Sequence, residues 1–219
     1  MYDDEKGNGM DQKEYWNSVS ETKTFTLPFD GERFSKYVKT DSAVVDVGCG
    51  YGRVLKILNE EGYENLLGYD FSPRMIERGR NECPSVRFEV MEEGRIPQED
   101  ESADAVILFA VLTCIVSDVK QEELIREIRR ILKPNGILYV NDYLLNTDER
   151  NLKRYEQYEK ELGVYGAFIL PEGARCRHHT EEHIRDLFRD FEVRDYEPVV
   201  YTTMNGHSSS GFTFIGSKK

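Results

Sequence analysis

The stretch Val44-Val45-Asp46-Val47-Gly48-Cys49-Gly50-Tyr51-Gly52-Arg53 decides the reading of this chain. Residues 43–47 are nearly all apolar, the pattern of a strand covered on both faces. Glycines then follow at every second position, 48, 50 and 52. Lacking a Cβ, they let the backbone turn sharply out of the strand and bring main-chain N–H groups against a ligand where any side chain would collide. The spacing predicts strand, loop and helix, with Val54, Leu55, Ile57 and Leu58 on the helix and Gly62 at its end.

Outward from this junction the alternation repeats. Residues 66–69 read as a second strand, and Ser72-Pro73 opens a helix with Ser as the cap and Pro in the first turn. Residues 86–90 and 105–109 read as the third and fourth strands, separated by an acidic loop over 91–103. A helix near 119–132 carries Leu124, Ile125, Ile128, Ile131 and Leu132 at helical spacing, and Lys133-Pro134-Asn135-Gly136 is expected to turn it into a fifth strand, 137–141. Five such units predict a parallel, doubly wound α/β sheet. Asp70 ends the second strand, where a carboxylate can accept hydrogen bonds from both hydroxyls of a ribose, so a nucleoside-containing ligand is expected.

Around this core, at 41–142, one domain spanning 1–219 is expected. Residues 1–12 read as a flexible tail and 13–40 as short helices. Residues 143–179 form an insertion too long for an ordinary connection, with a charged helical stretch over 148–162 and a loop over 163–179. Thr180 caps a last helix, and the runs 193–201 and 212–215 flank Asn205-Gly206 as an antiparallel hairpin.

Composition excludes several classes. Hydrophobic residues at 39% are too many for a disordered chain, and no run approaches the roughly 18 apolar residues of a membrane span. The first 30 residues lack the apolar run of a signal peptide, so a cytoplasmic location is expected. With 41 acidic against 29 basic residues the net charge is -12, which repels polyanions on average. No nucleic-acid or membrane partner is therefore expected. Four cysteines without a C-x-x-C pair read as reduced thiols, and no metal site is expected.

The loop spacing is G-x-G-x-G with an acid two positions before the first glycine, and Arg53 stands where a dinucleotide fingerprint needs glycine, which disfavours an NAD-dependent dehydrogenase. With Asp70, the Lys133–Gly136 turn and the terminal hairpin, residues from about 40 to 142 resemble the class I S-adenosylmethionine-dependent methyltransferases. The resemblance implies a Rossmann-like seven-stranded sheet, mostly parallel with an antiparallel last strand. It implies S-adenosyl-L-methionine as cofactor. Asp46 and the loop of Gly48, Cys49, Gly50 and Gly52 would hold its methionine part, Asp70 its ribose, and Phe71 its adenine face. Glu92, flanked by Met91 and Glu93, would meet the adenine edge, and Phe109 would border the methionine side.

The acceptor is expected beyond the carboxyl ends of the strands, under the N-terminal segment and the insertion acting as lids. Tyr15, Trp16, Thr113, Tyr143 and Tyr165 are the candidate acceptor-binding residues. His178, His179 and Asp142 are candidate catalytic groups, with His207 a further imidazole, because a base near neutral pH can take a proton from an amine, hydroxyl or thiol. The cations Arg175, Arg177 and those of 150–160 are expected on a solvated face. The leading expectation is in-line methyl transfer to O, N or S of a small-molecule acceptor, with methylation of a protein or nucleic acid, or cofactor binding without catalysis, as alternatives. Monomer and dimer both stay open.

Overall fold

In the computed structural model, which describes residues 11–203 and 206–219, β1 (Val44–Val47) is buried along its whole length. It runs parallel between β2 (Leu66–Asp70) and β4 (Ala103–Phe109), with Val45 in register with Leu67 on one side and Val106 on the other. β3 (Arg87–Val90) continues the sheet beyond β2, and β5 (Leu132–Tyr143) lies beyond β4. β9 (Ser208–Lys218) pairs antiparallel with both β5 and β8 (Phe191–Thr202). The order is β3-β2-β1-β4-β5-β9-β8, and β9 runs against the other six strands. The expected tail lies outside the described residues up to residue 10, and so does Asn205 of the expected turn.

Helices cover both faces. α3 (Arg53–Glu60) and α4 (Pro73–Glu82) bury Leu55, Leu58 and Ile76 with Phe34 of the short α2 (Gly31–Ser35). α5 (Asp118–Ile131) and α7 (Glu181–Leu187) bury Leu124, Ile128 and Ile184 on the opposite face, against Val106, Leu138 and Phe214. Each such fully buried side chain contributes about 1.5–3 kcal/mol. Starts are capped as the sequence suggests: Ser72 Oγ accepts the Met75 N–H, and Thr180 Oγ1 accepts that of His183.

Two expectations change. Lys133–Gly136 do not precede the fifth strand; they bulge within β5, where Leu132 pairs with Ala103 and Ile137 with Ala105, and Asn135 takes φ +62°. Residues 163–179 are not a plain loop. After α6 (Glu149–Leu162) they form a hairpin of β6 (Ala167–Ile169) and β7 (Arg175–Arg177), strands too short to show a period-two pattern. Leu144 and His179 bridge at the base of this insertion, which therefore leaves and re-enters at the carboxyl end of β5. α1 (Gln12–Val19) reaches the same end: the Gln12 Nε2 group donates to the carbonyls of Cys114 and Arg175, 3.2 and 2.7 Å away.

Candidate active site

The loop after β1 is fastened to the end of β2. The N–H groups of Gly48 and Cys49 donate to the Tyr69 carbonyl at 2.8 and 2.9 Å. Asp70 accepts the Gly50 N–H at 2.9 Å on one oxygen and the Ser72 N–H at 2.8 Å on the other. Glycines 48, 50 and 52 all have positive φ, a region L side chains rarely adopt. A Cβ on Gly50 would also lie 2.6 Å from the Phe25 ring, and one on Gly52 would strike Phe88. Gly52 thus serves the packing of α3 on the sheet, while Gly50 faces the ligand side.

This loop borders a cavity of about 100 Å³, lined by Asp46, Gly48, Gly50, Asp70 and Phe71, with Phe109 and Ala110 across it. Asp46 is fully buried, and neither carboxylate oxygen has a hydrogen-bond partner among the described residues. Burial pushes its pKa up to about 8, Asp70 adds to the rise, and Arg53 opposes it. Burial likewise raises Asp70, to about 6, against the two amides that stabilise its charged form. A buried carboxylate without partners costs free energy that a cationic or hydroxyl-bearing ligand removes. Asp46 therefore fits the ammonium end of S-adenosylmethionine, and the remaining lone pairs of Asp70 fit a ribose. Met91, Glu92 and Glu93 do not line this cavity. Glu92 is exposed in a bridge to Arg95, and Glu93 is ion-paired with Lys120 at 3.4 Å.

A second cavity, about 170 Å³, opens from the first and shares Trp16, Phe25, Arg53, Phe109, Ala110 and Cys114 with it. Tyr15, Trp16, Thr113, Tyr143, Phe168 and His178 form its walls, so four of the five candidate acceptor residues meet here. Tyr165 does not: it is exposed and rests its edge on Tyr155. Ala110, at the junction of the cavities, has φ +56°, a strained value for a residue with a Cβ and the kind of outlier that marks functional sites. Three of the cations expected on a solvated face instead line this cavity, while Lys153 and Lys160 are exposed as expected and Arg177 is buried against Asp118. Arg150, Arg154 and Arg175 join Lys23 and Arg53, and the Arg154 guanidinium lies 3.4 Å over the Phe168 ring. Lys23 donates to Tyr15 Oη at 3.0 Å and pairs with Glu172 at 3.3 Å. Helical periodicity hid this arrangement, since Arg150 and Arg154 are four apart on a charged helix, the spacing of an ordinary solvated stripe.

The candidate bases separate. Asp142 is buried, lines neither cavity, and accepts the N–H groups of Thr113 at 3.2 Å and Tyr143 at 2.8 Å, so it holds the short turn at Leu112–Cys114 in place. His179 also lies outside both cavities. Its Nε2 meets Gln121 Nε2 at 2.9 Å, its Nδ1 meets the Tyr143 carbonyl at 3.2 Å, and burial drives its pKa down to about 3. The donor Gln121 Nε2 and the acceptor carbonyl fix a neutral ring protonated on Nδ1, stacked on His183 and tying α5 to α7. His207 is exposed in the terminal turn. His178 alone of these four lines the second cavity, stacked on Tyr143 with ring centroids 5.3 Å apart.

The family profile described as "Methyltransferase domain" matches residues 45–140. A mouse relative, "tRNA N(3)-cytidine methyltransferase METTL2", is 32% identical over 178 residues, covering 74% of this chain and 43% of the relative. Residues 45–140 are a methyltransferase domain of the class I S-adenosylmethionine-dependent type. Another mouse relative, "Probable tRNA methyltransferase 9B", is 28% identical over 153 residues, covering 70% of the chain and 33% of that protein. The methyltransferase chain thus spans less than half the length of these curated relatives. A crystal structure of an S-adenosylmethionine-dependent methyltransferase from Methanosarcina mazei shares the fold, with a TM-score of 0.82 and 24% identity over 89% of this chain and 99% of that one. The cofactor is S-adenosylmethionine. One expectation is overturned: a small-molecule acceptor with no nucleic-acid partner does not survive relatives whose names specify tRNA. Net charge misled here because it averages over a surface whose cavity has the opposite sign.

Proposed function

We propose that this methyltransferase domain modifies a base of an RNA, with tRNA as the substrate class. The observation that carries the reading is the sign of the acceptor cavity. In a chain of net charge -12, its lining has Lys23, Arg53, Arg150, Arg154 and Arg175 against one carboxylate, Glu172. A local cationic cluster is what a polyanion needs to approach an acidic protein. Enzymes acting on a base take it out of the stack and hold it by aromatic faces and edge hydrogen bonds, and Trp16, Phe25, Tyr143 and Phe168 are placed for such a role.

S-adenosylmethionine supplies an electrophilic methyl group on a sulfonium. Phe109 and Ala110, shared by both cavities, would stand between cofactor and acceptor and border the approach of the nucleophile. Phe109-Ala110-Val111-Leu112 follows β4 in place of the Asn/Asp-Pro-Pro-aromatic run usual for exocyclic amines. A ring nitrogen such as N3 of cytosine, which the METTL2 name specifies for that relative, offers a lone pair and no proton to remove. That acceptor suits a cavity from which two of the three candidate bases, Asp142 and His179, are absent, and whose third, His178, is made a weaker base by burial.

The test is incubation of the chain with a tRNA pool and isotopically labelled cofactor, followed by digestion and mass spectrometry of nucleosides. Labelled methyl on one ring nitrogen is expected. No label in any RNA nucleoside, with cofactor binding intact, overturns the reading.

A further inference from the structure

We propose that His178 meets the acceptor as a hydrogen-bond donor through Nε2–H, not as a general base, and so selects a base that presents a carbonyl oxygen beside its nucleophilic nitrogen. The inference rests on the second cavity being the acceptor site and names the edge chemistry it reads.

The argument begins with the orientation of Asn146. Its Oδ1 accepts the Ser210 N–H at 2.7 Å, and its Nδ2 donates to the Leu144 carbonyl at 2.9 Å. An N–H cannot accept and a carbonyl cannot donate, so these two partners leave the amide one orientation. The atom 3.2 Å from His178 Nδ1 is therefore Nδ2, a donor only, whose second proton is shared between Nδ1 and Ser209 Oγ at 3.1 Å and which offers Nδ1–H no acceptor. Tyr155 gives the same answer independently. Its Oη accepts the Asn146 N–H at 3.3 Å and lies 2.6 Å from His178 Nδ1 against 3.5 Å from Asn151 Oδ1, so its own proton goes to the nearer Nδ1. A proton on Nδ1 would face the Asn146 amide donor and displace the Tyr155 proton from its short contact, so Nδ1 accepts and the one proton of a neutral imidazole sits on Nε2.

The ring stays neutral for electrostatic reasons. It is buried, and the groups around it are Arg150, Arg154 and Tyr155 on α6, Tyr143 on β5, and its neighbour His179, with only Asp148 favouring the cation. Burial comes first, and both arginines add to the downward push on its pKa. Asn146 and Tyr155 lie behind the wall and do not line the cavity, whereas His178 does, so the ring edge bearing Nε2 is the one a ligand meets. A fixed N–H beside the nucleophile is the complement of a pyrimidine edge, where a carbonyl oxygen flanks a ring nitrogen, and it opposes an N–H donor at that position.

Asn146 and Tyr155 are positioning residues in this scheme. Long-range ¹⁵N–¹H spectra of the full chain without acceptor test the tautomer directly. The Nε2–H form is expected for His178 from pH 8 down to 5; the Nδ1–H form, or an imidazolium near neutrality, overturns the proposal whatever the substrate proves to be. Asn146→Asp should move the proton to Nδ1, since a carboxylate accepts from it, and the spectrum of the unchanged protein stands should that variant not fold. On tRNA, His178→Ala should lose about tenfold in kcat/KM, one hydrogen bond's worth, and His178→Gln, which keeps an N–H with no basicity, should recover most of that loss. An acid limb near pH 6.5 in kcat that vanishes in His178→Gln would mark a base and overturn the proposal. Failure of the unchanged protein to methylate any RNA would instead remove the RNA reading, with the tautomer result still deciding the proton's place.

Discussion

The first cavity, read as the cofactor's, draws its charged groups from residues 46–71, a single strand-loop-helix-strand passage, whereas the second, read as the acceptor's, joins Tyr15 to Ser209 across almost the whole chain. The two also differ in charge. Asp46 and Asp70 are buried acids on the cofactor side, and cations outnumber the one carboxylate on the acceptor side. The contrast shows how a fold divides its labour. A ligand common to a whole family is held by backbone geometry that a short motif must encode, and an acceptor is held by side chains on additions to the sheet.

The largest expected effect comes from the motif itself. Gly50→Val places a branched side chain at φ +56°, which costs roughly 1–2 kcal/mol before any contact, and drives it into Phe25. Cofactor affinity measured by calorimetry should fall at least about 100-fold, nearly 3 kcal/mol. Phe25 lines both cavities, so a variant that binds cofactor normally would show that the two halves are uncoupled and that the loop stands clear of the ligand.

Charge gives the next effect, and its sign follows from the buried acids. Asp46, Asp142 and Asp70 have folded pKa values raised by burial to about 8, 7 and 6. The folded chain therefore holds protons that the unfolded chain releases near pH 4, and this source of stability is lost as pH rises from about 4 to 8. Between pH 7 and 8 Asp46 is the last of the three still to release its proton, so the fold should lose up to about 1.4 kcal/mol there without ligand. Asp46→Asn should flatten that segment of a denaturation series. S-adenosylmethionine, whose ammonium pairs with the ionised acid, should bind more tightly over the same interval and release a proton on binding. A slope that survives in Asp46→Asn would place the ionisation elsewhere.

The sheet was legible in the sequence because its signals are local. Apolar runs at 43–47 and 105–109, the Ser72-Pro73 start and the Thr180 cap each depend on neighbours in the chain. The short hairpin Ala167–Ile169 with Arg175–Arg177 was not, because three residues cannot display a period. Among functional residues, Asp46, Gly50 and Asp70 carry a spacing that reads alone, whereas Arg154 looks like any arginine on a charged helix until the fold sets it over Phe168. His178 and His179 are adjacent in sequence and opposite in role, since one side chain faces the cavity and the other the contact between α5 and α7.

On the acceptor side Arg154 gives a clean separation. Arg154→Ala removes a cation and its packing on Phe168, so tRNA affinity should fall about tenfold and the salt dependence of binding should lose about one unit of slope. Cofactor affinity should stay within about twofold. Equal losses for both ligands would mean that the two cavities act as one.

The smallest expected effect is at Glu92. The family resemblance gives it the adenine edge, yet the structure leaves it exposed, bridged to Arg95 and away from the cofactor cavity. A hydrogen bond to an exposed carboxylate competes with water and contributes at the low end of about 0.5–1.5 kcal/mol. Glu92→Gln should therefore raise the cofactor's dissociation constant no more than about twofold, far less than Asp70→Ala, whose carboxylate is buried and anchored by the Gly50 and Ser72 amides. A loss of tenfold or more at Glu92 would show that the loop over residues 91–95 closes onto bound adenine. The cofactor half would then need an induced element of its own, and the contrast between a preformed cofactor site and an acceptor site assembled from the additions would narrow to the methionine and ribose ends.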